Sequence, residues 1–249
     1  MIQTGTKGPE VGNWQRFLNE AGASLDVDED FGPLTKDATE TWQATKGLLS
    51  SGIVDNTTLS QALMDGYIPF VQAKNYTALW PSHRTSIDLI VIHTMESPDK
   101  PTTAPDVAAW FAGPNAPQAS AHYCCDETHV VQTVRDTDVA WHAPGANRTG
   151  IGIEHAGYAK QTADDWRSPY NQRMLALSAK LAAKIALRWN IPVVHLTVSE
   201  LKASKPSAPA RGFIGHVDAT NTFGGGTHWD PGPGFPYDNY LALVRMEMS

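Results

Sequence analysis

Two short apolar runs that each end in a polar side chain constrain the fold of this chain most strongly. SIDLIVIHTM carries a β-branched run that ends at His93, and TGIGIEHAG carries a second run that ends at Glu154. Such runs are typical of buried strands. Segments with helical periodicity alternate with them, including APDVAAWFAG and the long amphipathic SPYNQRMLALSAKLAAKIALRWN. The alternation predicts an α/β fold with a central, mainly mixed β-sheet that is covered by helices.

Further segments complete this predicted domain. SAHYCCDETHVVQTV predicts a hairpin that turns near Asp126 to His129, IPVVHLTV predicts another strand, and PYDNYLALVRMEM predicts a closing helix. Cys124 and Cys125 are adjacent, so we expect free thiols buried on a strand rather than a disulfide. The chain has 2 cysteines, which excludes a Cys-rich zinc site.

The N-terminal part has a different pattern, with three short helical stripes that are rich in Trp, Phe and Leu. They predict a small independent three-helix module in residues 1–65, a linker with an entry strand in residues 66–82, and a second domain in residues 83–249. The third helix is expected to open near Thr57. The residues expected to face the module core are Val11, Trp14, Phe17, Leu18, Leu34, Ala38, Trp42, Leu59 and Leu63.

Charge and hydropathy exclude several partners. The net charge of −7 argues against a nucleic-acid partner held by a basic surface. No apolar run approaches the roughly 18 residues that span a bilayer, and MIQTGTKGPEVGNWQ lacks the apolar core of a secretory signal. We therefore expect no membrane insertion and synthesis in a cytoplasm. Without a sustained heptad pattern, we expect a monomer.

Two histidines and one aspartate form a candidate metal site. His93 ends one apolar run, His216 follows the run RGFIG, and Asp230 lies on the rigid turn HWDPGPGF. Two imidazoles and a carboxylate are a familiar zinc ligand set that leaves a fourth position open for water. From the spacing alone, the same residues are also compatible with ordinary loops.

Residues 8–64 resemble the peptidoglycan-binding module found beside many cell-wall hydrolases. The matching stretches are Trp14-Gln15, Asp30-Phe31-Gly32-Pro33, Trp42-Gln43, Gly47-Leu48 and Gly52-Ile53-Val54. Residues 85–245 resemble the zinc-dependent N-acetylmuramoyl-L-alanine amidases, whose fold is shared by peptidoglycan-recognition proteins. This resemblance rests on LIVIHTM, SAHYCCDETHVVQTV, AWHAPGANRTGIGIE, GHVDAT and HWDPGPGF, in that order.

The resemblance assigns roles to individual residues. It implies one Zn²⁺ ion held by His93, His216 and Asp230, and Glu154 as the general base, since Ala121 stands where another branch of the family has a tyrosine. His228 stands where many relatives have an oxyanion-stabilising lysine, so we expect activity to depend on the protonation of His228. The residues expected to contact substrate are Thr94, His142 and Asn147.

The remaining histidines receive no catalytic role. We expect His122 to form structural hydrogen bonds beneath the site, and His155 to point to the opposite face of the strand from Glu154. No chemistry is assigned to His83, His129 and His195.

The resemblance implies a peptidoglycan hydrolase that cleaves the amide between N-acetylmuramic acid and the L-alanine of the stem peptide. Without an apparent signal peptide, the chain fits a phage endolysin, made in the host cytoplasm and acting on the wall after release. The alternative is a non-catalytic peptidoglycan-recognition protein, but this sequence keeps all three ligands and Glu154. A cytoplasmic recycling amidase has little use for a wall-binding module. A zinc deaminase would need a Pro-Cys-x-x-Cys segment, which the sequence lacks.

Overall fold

The computed structural model describes residues 1–79, 82 and 84–249. Two compact units divide the chain, Met1–Val71 and Gln72–Ser249. Part of the predicted linker, Trp80-Pro81, lies outside the described residues, as does His83, for which no chemistry was predicted.

The first unit contains three helices around an aromatic core. They are α1 (Pro9–Glu20), α2 (Pro33–Thr45) and α3 (Asn56–Met64). Proline at the start of α1 and of α2 suits the first helical turn, because the missing N–H has no intrahelical partner there. Trp14 is fully buried, with its ring 5.7 Å from that of Trp42 and 5.4 Å from that of Tyr67. The prediction that the tryptophans form the core is confirmed.

Two residues expected in this core lie outside it. Leu34 is 75% exposed and Leu63 is 41% exposed. The buried side of α2 is instead a partly polar stripe that includes Thr39 and Gln43. Thr39 accepts a hydrogen bond from Trp14 Nε1 at 2.9 Å, and Gln43 Nε2 donates to Ile53 O at 2.9 Å. Hydrogen-bonded polar groups can occupy a core, which apolar periodicity does not detect.

The second unit is built on a sheet with the strands β2 (Leu89–Thr94), β3 (Tyr123–Cys125), β4 (Val130–Gln132), β6 (Gly150–His155) and β7 (Gly212–Gly215). They form a five-stranded mixed sheet in the order β4-β3-β6-β2-β7. The central pairings are parallel, and β4 pairs antiparallel with β3 in the predicted hairpin. A separate antiparallel pair joins β1 (Tyr76–Thr77) to β5 (Val139–Ala140). The mixed sheet confirms the predicted fold class.

Helices surround this sheet. They are α4 (Thr103–Ala112), α5 (Pro169–Trp189), α6 (Val198–Lys202), α7 (His216–Phe223) and α8 (Tyr237–Glu247), with a 3₁₀ turn at Asp165–Arg167. On one face, Leu89, Val91 and Ile214 pack with Leu201 of α6 and Ala219 of α7. On the other face, His155 contacts Ser178 of α5. Among the described residues, no helix has the length and apolarity needed to cross a membrane.

The strand predicted from IPVVHLTV is wrong. Residues 191–197 form one isolated bridge, between His195 and Phe213, before α6 begins. Pro192 has no N–H to donate to a ladder. Thr197 and Glu200 then form a capping box that starts the helix. Helix initiation therefore cuts short an edge segment that is otherwise rich in β-branched residues.

Candidate metal centre

The carboxyl ends of three parallel strands meet at the candidate site. His93 lies on β2 and is the register partner of Glu154 on β6. On the other side of β2, β7 ends at Gly215, and His216 is the first residue of α7. Parallel strands that end at one edge form a crevice where α/β proteins bind ligands. The sheet topology therefore brings together side chains from distant parts of the sequence.

Asp230 completes a compact group with the two histidines. Its Oδ2 lies 3.1 Å from Nδ1 of His93, and its Oδ1 lies 3.2 Å from Nδ1 of His216. One ligand atom from each residue lies within 4.8 Å of the others, and all three side chains are buried. Asp230 follows α7 in the chain, and its backbone oxygen accepts a hydrogen bond from Val217 N at 2.9 Å. A cis peptide bond joins Asp230 to Pro231.

The protonation of this group suits a divalent cation. Burial lowers the pKa of His93, although the contact with Asp230 acts in the opposite direction. The lowered pKa favours the neutral imidazole, which is the form that binds a metal. Burial alone would raise the pKa of Asp230, but hydrogen bonds from His216 and His93 outweigh it and lower that pKa, so the carboxylate stays ionised. Two imidazoles and one carboxylate are a donor set that zinc accepts in catalytic sites. The residues present therefore fit a zinc ion.

Comparison with known proteins places this centre in a family. Residues 83–233 match the family described as N-acetylmuramoyl-L-alanine amidase, and residues 7–61 match a putative peptidoglycan binding domain. N-acetylmuramoyl-L-alanine amidase A of Achromobacter lyticus is 30% identical over 186 residues, which cover 70% of this chain and 89% of that protein. This chain belongs to the N-acetylmuramoyl-L-alanine amidase family.

One solved structure gives the same fold as this amidase family member. The Staphylococcus aureus hydrolase AmiA, solved in complex with its ligand, aligns with a TM-score of 0.54 at 15% identity, over 78% of this chain and 91% of that chain. A Burkholderia AP3 phage endolysin is 41% identical over 24% of each chain, with a TM-score of 0.24.

Glu154 is the register partner of His93 on the neighbouring strand. Its Oε2 is buried and has no partner in the structure. Burial raises the pKa of Glu154 well above its usual value, and the carboxylates of Asp230 and Glu96 raise it further. A buried carboxylate oxygen without a hydrogen-bond partner is costly, and carboxyls with a raised pKa often occur at functional sites. The general-base role of Glu154 stays a prediction.

His228 lies at the solvent side of the centre. Its ring stacks on that of His216, with centroids 4.1 Å apart and planes at 15°. Its Nδ1 lies 3.9 Å from Oδ1 of Asp230, and 56% of its side chain is exposed. His228 therefore contacts the metal group while part of its ring stays exposed to solvent, and its role toward substrate stays a prediction.

The three residues predicted to contact substrate form hydrogen bonds or close contacts with other residues of the protein. His142 is buried, with Nδ1 3.1 Å from Nε2 of His93. Asn147 Oδ1 accepts hydrogen bonds from the backbone of His142 and the following residue at 2.9 and 2.7 Å. Thr94 is buried and donates from Oγ1 to Glu96 Oε1 at 2.7 Å. Their substrate contacts stay predictions, whereas the contact of His142 with His93 can orient a metal ligand.

Sequence reasoning did not identify Glu96. Its backbone has a φ of 50°, and its Oε1 also accepts a hydrogen bond from Ala159 N at 2.8 Å. Glu96 thus connects the loop after β2 to the loop after β6. A glutamate rarely adopts a left-handed backbone conformation. The sequence around Glu96 therefore gave no indication of this turn.

His122 lies beneath the site, as predicted for a structural residue. Its Nδ1 accepts a hydrogen bond from Gly152 N at 3.0 Å. Cys124 and Cys125 are free and buried, as expected.

Proposed function

We propose that this chain is a zinc-dependent peptidoglycan hydrolase, an endolysin that cleaves the amide between N-acetylmuramic acid and L-alanine of the stem peptide. The observation that carries the proposal is the buried His93, His216 and Asp230 group, whose ligand atoms lie within 4.8 Å of one another. The family membership supports amidase chemistry on peptidoglycan. Zinc activation and the lytic role belong to the proposal.

Each side chain has a defined task in this reaction. Zinc held by His93, His216 and Asp230 would supply Lewis-acid chemistry, which acidifies water and polarises a carbonyl. Glu154 would take a proton from the attacking water at Oε2 and return it to the leaving nitrogen as the C–N bond breaks. His228 would donate a hydrogen bond to the carbonyl oxygen while it carries negative charge. The products are a lactyl carboxylate on the sugar and a peptide with a free amino terminus.

The N-terminal module serves as a wall-targeting unit in this proposal. We assign it to residues 1–65, with a linker in 66–82 and the amidase domain in 83–249, in support of which residues 7–61 match a putative peptidoglycan binding domain. A module that holds the enzyme on an insoluble polymer raises its effective concentration there. We further propose a monomer, made in the host cytoplasm, that acts on the wall after release and engages neither nucleic acid nor membrane.

The competing function is a non-catalytic peptidoglycan receptor on the same fold. The buried, unpaired Oε2 of Glu154 favours the enzyme, because a binding protein gains nothing from a desolvated carboxyl beside a metal group.

Mass spectrometry of purified peptidoglycan incubated with the protein tests the choice. We expect stem peptides with a free amino-terminal alanine, loss of their release with a chelator, and recovery with added zinc. Intact walls with the protein bound would support the receptor instead.

Two variants separate metal binding from chemistry in the same assay. Asp230→Ala should lose both tight zinc retention and hydrolysis, because it removes a ligand from the group. Glu127→Ala is the control for loss of a carboxylate, because Glu127 pairs with Arg173 rather than with a residue of the metal group, and it should retain zinc. If Asp230→Ala retained zinc as tightly as the wild type, the ligand assignment would be wrong.

A further inference from the structure

A buried hydrogen-bond chain approaches the candidate metal centre from the opposite face of the sheet. It consists of Tyr240 on α8, Ser178 on α5 and His155 on β6, and each of these residues is 0% exposed. The Tyr240 hydroxyl lies 2.8 Å from Ser178 Oγ, and Ser178 Oγ lies 2.7 Å from Nε2 of His155. Nδ1 of His155 lies 3.1 Å from the backbone oxygen of His93. The chain therefore ends on a residue of the metal group.

The chemistry of the four groups fixes the direction of every hydrogen bond. A carbonyl oxygen can only accept, so Nδ1 of His155 must carry the proton that it shares with His93. His155 is fully buried, and its ring nitrogens contact a carbonyl oxygen and a hydroxyl rather than a carboxylate, so the neutral imidazole is the form that this environment favours. Its Nε2 must then accept, and Ser178 must donate to it. Since the single hydroxyl proton of Ser178 is used, Tyr240 donates to Ser178.

The hydrogen-bond chain contacts the backbone of His93, one of the proposed metal ligands. The carbonyl of His93 belongs to the peptide plane next to the Cα of the same residue, and that plane limits the direction of the imidazole. The side chain of His93 contacts His142, while its main chain contacts His155. Metal ligands need support of this kind, because small errors in ligand direction weaken a site.

We propose that His155, held as its Nδ1–H tautomer by Ser178 and Tyr240, is a positioning residue that fixes the orientation of His93 in the metal centre. The metal part of this inference rests on the proposed function. The tautomer part does not, because it follows from hydrogen bonds within the protein. Helices α5 and α8 thereby help to set the geometry of a site on the far side of the sheet.

Nitrogen-15 NMR of the histidine rings tests the tautomer in metal-free protein. We expect protonated Nδ1 and unprotonated Nε2 at His155 in the wild type. Ser178→Ala removes the donor to Nε2, so a measurable Nε2–H population should appear. Tyr240→Phe keeps the aromatic ring and leaves Ser178 as the donor to His155. The ¹⁵N chemical shift of His155 Nε2 should therefore change in the same direction as in Ser178→Ala, but by less. Wild-type protein with Nε2 protonated would overturn the proposal without any variant.

Metal binding provides the second measurement. Ser178→Ala should weaken zinc binding about tenfold in chelator competition, the lower end for partners of metal ligands, and should shift the visible absorption of the Co²⁺-loaded protein. Ser178→Thr restores the hydroxyl and should recover both. Thr133→Val is the matched control, since Thr133 is also 0% exposed and donates from Oγ1 to Ala121 O, outside the chain.

The outcomes separate this inference from the proposed function. Unchanged tautomer and unchanged Co²⁺ absorption in Ser178→Ala would overturn the positioning role. If Thr133→Val changed both as strongly as Ser178→Ala, the effect would be general destabilisation, and the positioning role would also fall. A wild-type protein with the expected tautomer and tight zinc binding, but no peptide release from walls, would overturn the amidase proposal alone.

Discussion

The surroundings of the Glu154 carboxyl group disfavour its charged form. A residue that served only to pack the core would not need a carboxyl group there. Burial and two neighbouring carboxylates raise the pKa of Glu154, and its Oε2 has no hydrogen-bond donor. Glutamine has nearly the same shape and is neutral, so it should fit without loss of stability. It cannot, however, accept a proton from water.

We therefore expect Glu154→Gln to lower kcat for release of stem peptides by about 10²- to 10⁴-fold while zinc content stays unchanged. The measurement is single-substrate kinetics with metal analysis of the same sample. Glu127→Gln is the control, because Glu127 pairs with Arg173 rather than with a residue of the metal group. Normal turnover by Glu154→Gln would remove the general-base role.

The second proposed catalytic residue is His228, as a hydrogen-bond donor to the oxyanion. We expect His228→Ala to lower kcat by about 10- to 100-fold, somewhat less than the loss of a buried oxyanion donor because the side chain is largely exposed. His228→Lys should retain most of the activity, because an ammonium also donates a hydrogen bond to a developing oxyanion. The values of kcat for the three proteins, measured at one pH, decide this. Full turnover by His228→Ala would contradict it.

At the scale of elements, sequence reasoning located the strands better than the connections between them. The runs that end at His93 and Glu154 are strands because their residues are buried within a parallel sheet. The prediction from β-branched composition failed at residues 191–197, where Pro192 and the Thr197 capping box stop the ladder. Local composition cannot show which of two competing local signals prevails.

The sequence predicted the polar residues at the strand ends, but it did not predict which side chains contact one another around the site. His142 was expected to contact substrate, and the structure places its ring against His93. That contact depends on how a loop folds back onto β6, which involves long-range packing. The hydrogen-bond chain from Tyr240 to His155 joins residues that lie far apart along the sequence, and no periodicity links them.

Gly152 on β6 permits the approach of His142. A Cβ atom at this position would lie 2.7 Å from Cγ and 2.9 Å from Nδ1 of that ring. We expect Gly152→Ala to displace His142 from His93, to lower the free energy of unfolding by about 1–3 kcal/mol and to weaken zinc binding. Urea unfolding and chelator competition measure the two effects.

Gly113→Ala is the matched control for this substitution, since a Cβ there would meet neighbouring atoms at 3.4 Å, an ordinary contact. Zinc affinity in Gly152→Ala equal to that of the wild type would show that the His142 contact does not support the ligand.

At the scale of the whole molecule, the two units differ in how they respond to acid. All 9 histidines lie beyond Val71, so the first unit contains none. Burial lowers the pKa values of His122 and His142 well below their usual range, and that of His155 to about 4. Each of these groups is neutral in the folded protein and free to take a proton once the chain unfolds.

The sign of the pH dependence follows from this difference. For His155 the unfolded pKa is 6.5 and the folded pKa is about 4. Its contribution to stability is therefore fully present above pH 6.5 and is lost as the pH falls toward 4, because the unfolded chain binds the proton first. At 1.36 kcal/mol for each pKa unit, His155 alone should cost about 2 kcal/mol between about pH 7.5 and pH 5.

We expect the free energy of unfolding of metal-free protein to fall by at least about 2 kcal/mol over that interval, measured by urea titration of the second unit. His155→Gln should reduce the fall by about this amount, since an amide does not titrate. The isolated segment Met1–Val71 is the control. It has no histidine, and the carboxyl pKa values of Asp28 and Asp55 are lowered by hydrogen bonds to values below this interval. A second unit whose stability stayed constant or rose on acidification would show that its buried histidines accept protons in the folded state, and would contradict the neutral His155 on which the hydrogen-bond chain depends.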